Sequence, residues 1–142
     1  MRVLVTGANG FVGKNLIAHL AERVDVDVVP FTRQNSIADL PAMLEDVDFI
    51  FHLAGTNRPE RPIEFEQGNV DLTASLCAAI KAAGRAIPVI YASSIQAELD
   101  NPYGISKRGA ENVLLALSQQ CGVPVYIFRL PNVFGKWARP NY

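Results

Sequence analysis

Five short, almost continuously apolar segments recur along this chain, with helix-like segments between them. The strand-like segments are residues 2–6, 26–31, 47–55, 87–94 and 124–130, and the helix-like segments are 10–23, 37–46, 65–84 and 103–122. Strands that are apolar on both faces are typical of a parallel sheet with helices on either side. Because crossovers between parallel strands are right-handed, the order predicts an α/β fold with a doubly wound parallel β-sheet. In such sheets ligands bind beyond the carboxyl ends of the strands.

The composition limits what such a chain can do. With 142 residues and 49% hydrophobic side chains it can bury one core, so we expect a single domain over 1–142. A net charge of −1 gives no bulk attraction to nucleic acid or a membrane surface, and no apolar run reaches the ~20 residues of a membrane span. Cys77 and Cys121 lie in apolar helical patterns, where we expect buried, reduced side chains, and no cluster has metal-ligand spacing. The apolar start is too short for a signal peptide, which predicts a cytoplasmic protein.

A glycine-rich turn, "TGANGFVGK", joins the first strand to the first helix. Gly7 allows the tight turn, Gly10 lets the backbone approach a pyrophosphate, and Gly13 lets helix and strand pack closely. Since the helix N-terminus adds N–H groups and a partial positive charge, the turn predicts an NAD(P) site in a Rossmann fold. The other loop residues expected to line it are Asn9, Phe11 and Val12. A P-loop does not fit, because five residues rather than four separate the outer glycines and Asn15 replaces the Ser or Thr.

The end of the second strand carries information about the cofactor. An NAD site usually places an Asp or Glu there for the ribose 2′-hydroxyl, whereas an NADP site uses an arginine. The stretch "VVPFTRQNS" has no acidic residue and offers Arg33, which can hold a phosphate through two hydrogen bonds. We therefore predict NADP(H) as the cofactor. The alternative interpretation of Arg33 is a solvated surface side chain.

The segment "NPYGISK" opens the last helix and places Tyr103 and Lys107 four residues apart, on one helix face. A tyrosine with its ordinary pKa of ~10 is a poor acid at neutral pH, but a nearby ammonium group lowers that pKa. Ser94, at the end of the fourth strand, can orient the oxygen of a substrate. The three residues predict carbonyl reduction or alcohol oxidation, in which Tyr103 exchanges a proton with that oxygen while hydride moves at carbon.

The segments "TGANGFVG", "FHLAG", "SS" followed by "PYGISK", and "RLPNVFG" occur in this order and together resemble the extended short-chain dehydrogenase/reductase family. The resemblance covers nearly the whole chain. It implies that Tyr103 donates or accepts the proton, that Lys107 is its partner, and that Ser94 is favoured over Ser93 as the catalytic serine. It further implies that the cofactor is bound by Tyr103, Lys107, Leu53, Ala54, Gly55, Asn69 and Pro131, and the substrate by Ser94 and Asn132.

Within that family, "FHLAGTNRPE", "SSIQAELDNPYGISK" and "RLPNVFGKWARPNY" resemble the bifunctional enzymes of capsular polysaccharide synthesis that make UDP-N-acetyl-L-fucosamine precursors. This implies an NADPH-dependent reductase of a 4-keto UDP-sugar, of the UDP-2-acetamido-2,6-dideoxy-hexos-4-ulose type, with a homodimeric full-length protein. Ile95 and Gln96 replace the Asp-Glu pair of related 4,6-dehydratases, which argues against dehydration. The sugar-binding region and the C-terminal cupin domain of that group are missing from the sequence. We therefore expect an N-terminal fragment, truncated before the substrate-binding region.

Two other functions remain open at this point. An NAD-dependent nucleotide-sugar epimerase of the same family would be favoured by an acidic residue after the second strand, which is missing. A non-catalytic dinucleotide-binding regulator would usually lack the Tyr/Lys pair. Of the remaining polar and aromatic residues, His52 is interpreted as a hydrogen-bonded core histidine. Arg58 is either a charged loop residue or a residue near the cofactor or substrate. Trp137 either packs on the substrate or covers the core where the missing part belongs, and Arg129 is either a structural ion pair or a ligand contact.

Overall fold

The computed structural model describes residues 1–138, and the last four residues of the "RLPNVFGKWARPNY" motif lie outside the described residues. Within this range the chain forms five strands and five α-helices, and the third and fourth helices both lie between the third and fourth strands. The strands are β1 (Arg2–Thr6), β2 (Asp27–Phe31), β3 (Phe49–His52), β4 (Val89–Ser94) and β5 (Val125–Leu130). The α-helices are α1 (Phe11–Leu20), α2 (Leu40–Met43), α3 (Ile63–Phe65), α4 (Leu72–Ala83) and α5 (Pro102–Cys121). Two 3₁₀-helices, Ile37–Asp39 and Ile95–Glu98, and a π-helix, Glu66–Asp71, complete the order.

The five strands form one parallel sheet in the order β2-β1-β3-β4-β5. The predicted doubly wound sheet is therefore confirmed. The strand order reverses between β1 and β3, and ligands bind in the crevice that such a reversal opens at the carboxyl ends of the strands. Pro30 pairs with Val5 from an edge strand, where a missing backbone N–H is tolerated.

The two faces of the sheet pack against different helices. On one face Leu4, Ile50 and Tyr91 are fully buried together with apolar side chains of α2, α4 and α5. On the other face Val3 and Val5 are fully buried against α1. Each fully buried aliphatic side chain contributes roughly 1.5–3 kcal/mol. The packing therefore fixes the positions of α1 and α5, the two helices whose first turns carry the predicted site residues.

The helix predicted at 65–84 differs most from the observed structure. It begins at Ile63 and includes the six-residue π-helix Glu66–Asp71 before α4 continues to Ala83. A Cβ on Gly68 would overlap the hydroxyl group of Thr56. The wide turn thus lies directly against the loop that follows β3. π-Turns are rare and frequently occur at functional sites.

Other boundaries also differ from the predictions. β3 ends at His52 rather than at residue 55, because the following residues leave the sheet and enter the cleft described below. The helix predicted at 37–46 is a 3₁₀-turn followed by the short α2, with Pro41 in the first turn, where proline is tolerated. Cys77 is buried as expected, but Cys121 is exposed, so that prediction was wrong; neither forms a disulfide within the described part of the chain.

Candidate active site

A cleft of about 630 Å³ opens at the carboxyl edge of the sheet. Residues that follow all five strands line it, as expected for a doubly wound sheet. Four of the lining side chains are cationic, and none of the described residues that line the cleft is an Asp or a Glu. These cations are Lys14, Arg33, Arg58 and Lys107. Because the whole chain carries a net charge of −1, this concentration of positive charge is local and suits an anionic ligand.

The glycine turn after β1 is built by close backbone contacts. Gly7 has a φ of 70°, and a Cβ there would lie 2.7 Å from the backbone nitrogen of Ala54. A Cβ on Gly13 would overlap the carbonyl oxygen of Gly7. Gly7 and Gly13 are therefore required by the packing of β1, β3 and α1 themselves.

The first turn of α1 faces the cleft through its backbone. Gly10 is the N-cap residue, and within the described structure no side chain caps this end of the helix. Phe11, Val12 and Gly13, the first residues of α1, all line the cleft, as does Asn9. The N-terminus of a ten-residue helix thus presents N–H groups and its positive dipole end to the same space as the cations.

Arg33 lies in a turn immediately after β2 and is exposed at the cleft. Asn35 organises this turn, because its Oδ1 accepts the backbone N–H of Thr32 at 2.8 Å. The nearest downstream carboxylate, Asp39, accepts the backbone N–H of Ser36 at 2.8 Å in a capping box. The turn therefore offers a cationic side chain to the cleft, with its closest acidic neighbour already engaged.

Leu53 and Gly55, which follow β3, line the cleft as predicted, but Ala54 is not among the lining residues. Its backbone N–H instead donates to the hydroxyl of Thr6 at 3.1 Å. Alternate residues of an extended segment point in opposite directions, which explains the difference. Gly55 has little space behind it, since a Cβ would lie 2.8 Å from Oδ1 of Asn69.

Asn69 lies in the π-helix, is 1% exposed and lines the cleft. Its Oδ1 accepts the backbone N–H of Thr56 at 2.9 Å, and its Nδ2 donates to the carbonyl oxygen of Thr56 at 3.0 Å. Nδ2 also donates to the hydroxyl of Ser106 at 2.9 Å, which donates to the carbonyl oxygen of Tyr103 at 2.7 Å. Asn69 therefore joins the loop after β3 to the first turn of α5.

α5 begins one residue before Tyr103 for local reasons. Asn101 caps the helix by accepting the backbone N–H of Gly104 at 2.8 Å, and Pro102 occupies the first turn. A Cβ on Gly104 would overlap the carbonyl oxygen of Gln96, so the helix start is pressed against the segment after β4. Tyr103 lines the cleft, and its ring lies 5.8 Å from that of Phe65.

Lys107 lies one turn further along α5 and is 4% exposed. Its ammonium group donates to the carbonyl oxygen of Ala92 at 2.7 Å and lies 4.2 Å from the centre of the Tyr91 ring. Burial lowers the pKa of Lys107 from 10.5 to about 8, although the carboxylate of Glu111 raises it. An ammonium group has three N–H donors, and the bond to Ala92 uses one of them.

The structure distinguishes the two adjacent serines at the end of β4. The hydroxyl of Ser93 donates to the carboxylate of Glu111, which also binds Arg129 through two hydrogen bonds of 2.7 and 3.0 Å. Burial alone would raise the pKa of Glu111, but the hydrogen bonds from Arg129 and Ser93 outweigh it and leave that pKa lowered. Ser94 lines the cleft and accepts the backbone N–H of Gln96 at 3.2 Å, so its own proton is not used in this bond.

The structure places the three residues whose interpretation was open, Arg58, Trp137 and Arg129. Arg129 forms ion pairs with Glu111 and Glu98, which is the structural interpretation. Arg58 and Trp137 both line the cleft. His52 is discussed next.

His52 is a hydrogen-bonded core histidine, as expected. It is 1% exposed, with Nδ1 2.7 Å from the hydroxyl of Thr6 and Nε2 2.8 Å from the hydroxyl of Thr73. Its ring stacks on Tyr91 with a centroid separation of 5.2 Å. Burial, followed by the charge of Lys107, lowers the pKa of His52 to about 3, so the ring is neutral near pH 7.

The loop after β5 completes the cleft with Pro131 and Asn132, as predicted. The amide of Asn15 on α1 holds this loop by donating to the carbonyl oxygen of Lys136 at 2.8 Å. Several lining residues were not predicted: Lys14, Thr56, Asn57, Ala92, Gln96, Leu130 and Val133. Each lies within two residues of a predicted site residue, so closeness in sequence to those residues was the signal that could have found them.

Comparison with known proteins extends these observations. UDP-2-acetamido-2,6-beta-L-arabino-hexul-4-ose reductase of Pseudomonas aeruginosa is 66% identical over 142 residues, which is all of this chain and 38% of that protein. GDP-6-deoxy-D-mannose reductase of the same species is 32% identical over 168 residues, covering 99% of this chain and 55% of that protein. This chain spans between 38% and 59% of the length of the curated relatives that it matches.

Solved structures agree with the parallel sheet. The capsular polysaccharide assembling protein CapF of Staphylococcus aureus is 44% identical with a TM-score of 0.85, covering 100% of this chain and 38% of that chain. UDP-glucuronic acid 4-epimerase of Bacillus cereus in complex with NAD has a TM-score of 0.89 at 22% identity, covering 100% of this chain and 60% of that one, and so shows the fold alone. The model of the NAD dependent epimerase/dehydratase family matches residues 3–142. The resemblance noted from the sequence motifs is thereby confirmed, and the chain belongs to the NAD dependent epimerase/dehydratase family.

Proposed function

We propose that this chain forms the cofactor-binding and proton-transfer part of an NADPH-dependent reductase. The substrate is a 4-keto UDP-sugar of the UDP-2-acetamido-2,6-dideoxy-hexos-4-ulose type, used for capsular or other surface polysaccharide precursors. The observation that carries the proposal is the 66% identity, over the whole chain, to a reductase of such a sugar. The geometry supports it, since Ser94, Tyr103 and Lys107 line one cleft together with the glycine turn.

The residues present fit a nicotinamide dinucleotide. The uncapped first turn of α1 suits a pyrophosphate, and the cation-lined cleft suits a ligand with several negative charges. We assign the cofactor to Gly7, Asn9, Gly10, Phe11, Val12, Gly13, Arg33, Leu53, Gly55, Asn69, Tyr103, Lys107 and Pro131. NADP(H) is preferred to NAD because the turn after β2 offers Arg33 and has no acidic residue from Val28 to Ser36.

The proposed chemistry is reduction of a ketone to an alcohol. NADPH, when bound, would supply hydride for the carbonyl carbon, and Tyr103 would donate its phenolic proton to the carbonyl oxygen. The Lys107 ammonium, held one helical turn away by the carbonyl oxygen of Ala92, stabilises the resulting phenolate. Ser94 donates its hydroxyl proton in a hydrogen bond to the same substrate oxygen. We assign Asn132, which lines the same cleft, to the diphosphate of the sugar nucleotide.

The experiment is a reductase assay in a chimera. This chain replaces the matching segment of the Pseudomonas aeruginosa relative, and NADPH oxidation is followed with the 4-keto UDP-sugar. We expect turnover that Tyr103→Phe abolishes. A chimera that binds NADPH and reduces no 4-keto UDP-sugar rejects the proposal. Turnover unaffected by Tyr103→Phe would favour a regulatory role, and NAD-dependent interconversion of two sugars without net oxidation would favour an epimerase.

We further propose a homodimer and a cytoplasmic location for the protein that contains this chain. Among residues 1–138, none of the helices combines the length and apolarity of a membrane span. Size-exclusion chromatography with light scattering tests the homodimer, and cell fractionation tests the location.

A further inference from the structure

His52 is a buried titratable group that the proposed chemistry does not use, and donor counting fixes its tautomer. The hydroxyl of Thr73 donates to the carbonyl oxygen of Asn69 at 2.5 Å, which uses its single proton. Nε2 of His52 therefore carries a proton and donates to Thr73, which leaves Nδ1 as an acceptor for the hydroxyl of Thr6. The oxygen of Thr6 in turn accepts the backbone N–H of Ala54. With the proton on Nδ1 instead, the Thr73–Asn69 bond would be lost.

The result is one continuous chain of hydrogen bonds that all run in the same direction. It leads from Ala54 through Thr6, His52 and Thr73 to Asn69. Thr6, His52, Thr73 and Asn69 are each at most 1% exposed, so none can exchange a lost partner for water. A buried polar group that lacks a hydrogen-bond partner lowers the stability of the folded state, and connected hydrogen bonds strengthen one another.

Both ends of this chain belong to the wall of the cleft. Ala54 lies between Leu53 and Gly55, which line the cleft, and its backbone touches the space that a Cβ on Gly7 would need. Asn69 lines the cleft from the π-helix and holds Thr56. The hydrogen bonds thus join two parts of the cleft wall, the loop after β3 and the π-helix.

We propose that His52 is a positioning residue for the cofactor cleft: as a neutral ring protonated on Nε2, it holds the loop after β3 and the π-helix at Asn69 in register. The inference rests on the proposed function in one respect, that the cleft binds NADPH. The competing explanation is a histidine that only fills space in the core. A histidine that only fills space does not need one fixed tautomer. A change at Thr73 would then have no effect on the backbone at Ala54.

The first test is NMR spectroscopy of the chain with ¹⁵N-labelled histidine near pH 7. We expect His52 to show a protonated Nε2 and an unprotonated Nδ1. A ring protonated on Nδ1, or a rapidly exchanging mixture of the two tautomers, would overturn the proposal. This result does not depend on cofactor binding.

The second test compares three variants of α4. Thr73→Val keeps the shape of the side chain and removes the hydroxyl, whereas Thr73→Ser restores it. Ser75→Ala is the matched control, because the hydroxyl of Ser75 also donates to a carbonyl oxygen four residues earlier, that of Asp71 at 2.8 Å, on an exposed part of the helix. We expect Thr73→Val to speed amide hydrogen exchange at Ala54 and to weaken NADPH binding about tenfold or more. Thr73→Ser and Ser75→Ala should leave both quantities close to those of the unmodified chain.

The outcomes separate this inference from the proposed function. If the unmodified chain binds no NADPH, the proposed function fails, and exchange at Ala54 alone then decides whether His52 positions the loop. If NADPH binds and Thr73→Val changes neither exchange at Ala54 nor affinity, the proposed function stands and the positioning role is rejected. Should Thr73→Val fail to fold, the tautomer of His52 in the unmodified chain still decides the matter.

Discussion

The ammonium group of Lys107 donates a 2.7 Å hydrogen bond to the carbonyl oxygen of Ala92, two residues before Ser94 on β4. This bond joins the first turns of α5 to the strand that ends in the candidate serine. Tyr103 and Lys107 share a helix face because of their spacing, but their position relative to Ser94 depends on this contact between helix and strand. Three groups from two elements are thereby held on one side of the cleft.

Replacement of Tyr103 by phenylalanine should abolish most of the turnover while lowering cofactor affinity far less, because the ring stays at the cleft. The ring and its contact with Phe65 remain, and the phenolic proton donor is lost. We expect the rate of 4-keto-sugar reduction by the chimera to fall by roughly 10²- to 10⁴-fold, the usual contribution of a general acid. Steady-state rates and NADPH titrations measure the two quantities separately. An equal loss of NADPH affinity would show that the tyrosine serves binding instead.

Arg33→Ala should remove the preference for NADPH over NADH. We expect at least about a tenfold loss in NADPH affinity, equal to ~1.4 kcal/mol, with NADH affinity unchanged. Trp137, the single tryptophan of the chain, lines the same cleft and can report binding through its fluorescence. Arg23→Ala removes the same charge outside the cleft, where Arg23 pairs with Asp25, and should have no such effect. If the unmodified chain and Arg33→Ala prefer NADPH over NADH to the same degree, Arg33 is not the residue that selects NADPH.

Gly13→Ala should destabilise the chain and impair cofactor binding together. Its Cβ would overlap the carbonyl oxygen of Gly7, and overpacking of this kind typically costs about 1–3 kcal/mol. Gly84→Ala is the comparison, since Gly84 has a φ of 64° but no atom of residues 1–138 lies within 4 Å of its missing Cβ. Gly84→Ala should lower the free energy of unfolding by only about 1–2 kcal/mol, because alanine is strained in the left-handed backbone conformation, and it should leave NADPH affinity unchanged. Urea denaturation and NADPH titration check both variants, and normal binding by Gly13→Ala would contradict the expectation.

Tyr91→Phe should leave the free energy of unfolding unchanged or raise it by up to ~1 kcal/mol. The ring is fully buried, and among the described residues its hydroxyl oxygen has no hydrogen-bond partner. Phenylalanine keeps the stacking on His52 and the contact with Lys107 without burying that hydroxyl. Leu114→Ala, a core deletion expected to cost about 2–5 kcal/mol, shows that the denaturation assay is sensitive enough. A loss of more than about 1 kcal/mol in Tyr91→Phe would reveal a bond to its hydroxyl.

The stability of the chain should fall as the pH drops below about 6.5, in part because of His52. The unfolded histidine takes up a proton near pH 6.5, whereas the folded one does so only near pH 3. Between these values the unfolded state binds more protons, so the free energy of unfolding decreases by up to about 1.4 kcal/mol per pH unit from this group. In His52→Gln this contribution disappears, and the stability gap to the unmodified chain should narrow on acidification.

Urea denaturation at several pH values from neutral to acidic measures that gap. Thr73→Val retains the imidazole and should keep the same dependence on pH. A gap that stays constant between the unmodified chain and His52→Gln would mean that the folded histidine titrates near its usual pKa.

Much of the fold could be predicted because its signals are local. The apolar strands, the helical segment after each of the first four strands and the glycine spacing at Gly7, Gly10 and Gly13 depend on neighbouring residues, and each appears in the structure. The differences arise where packing overrides local preference. The π-helix of Glu66–Asp71 accommodates the approach of Gly68 to Thr56, a contact that helical periodicity does not encode.

The sequence by itself determined the parallel sheet, the edge at which the cleft opens and the pairing of Tyr103 with Lys107, since these follow from spacing along one strand or helix. Only the tertiary structure decided that Ser93 binds Glu111 while Ser94 faces the cleft, and that His52 joins Thr6 to Thr73. The reason is that these partners are far apart along the chain. Which side chains meet is set by the register of the strands and the packing of the helices on them, so each contact exists only once the whole sheet is assembled.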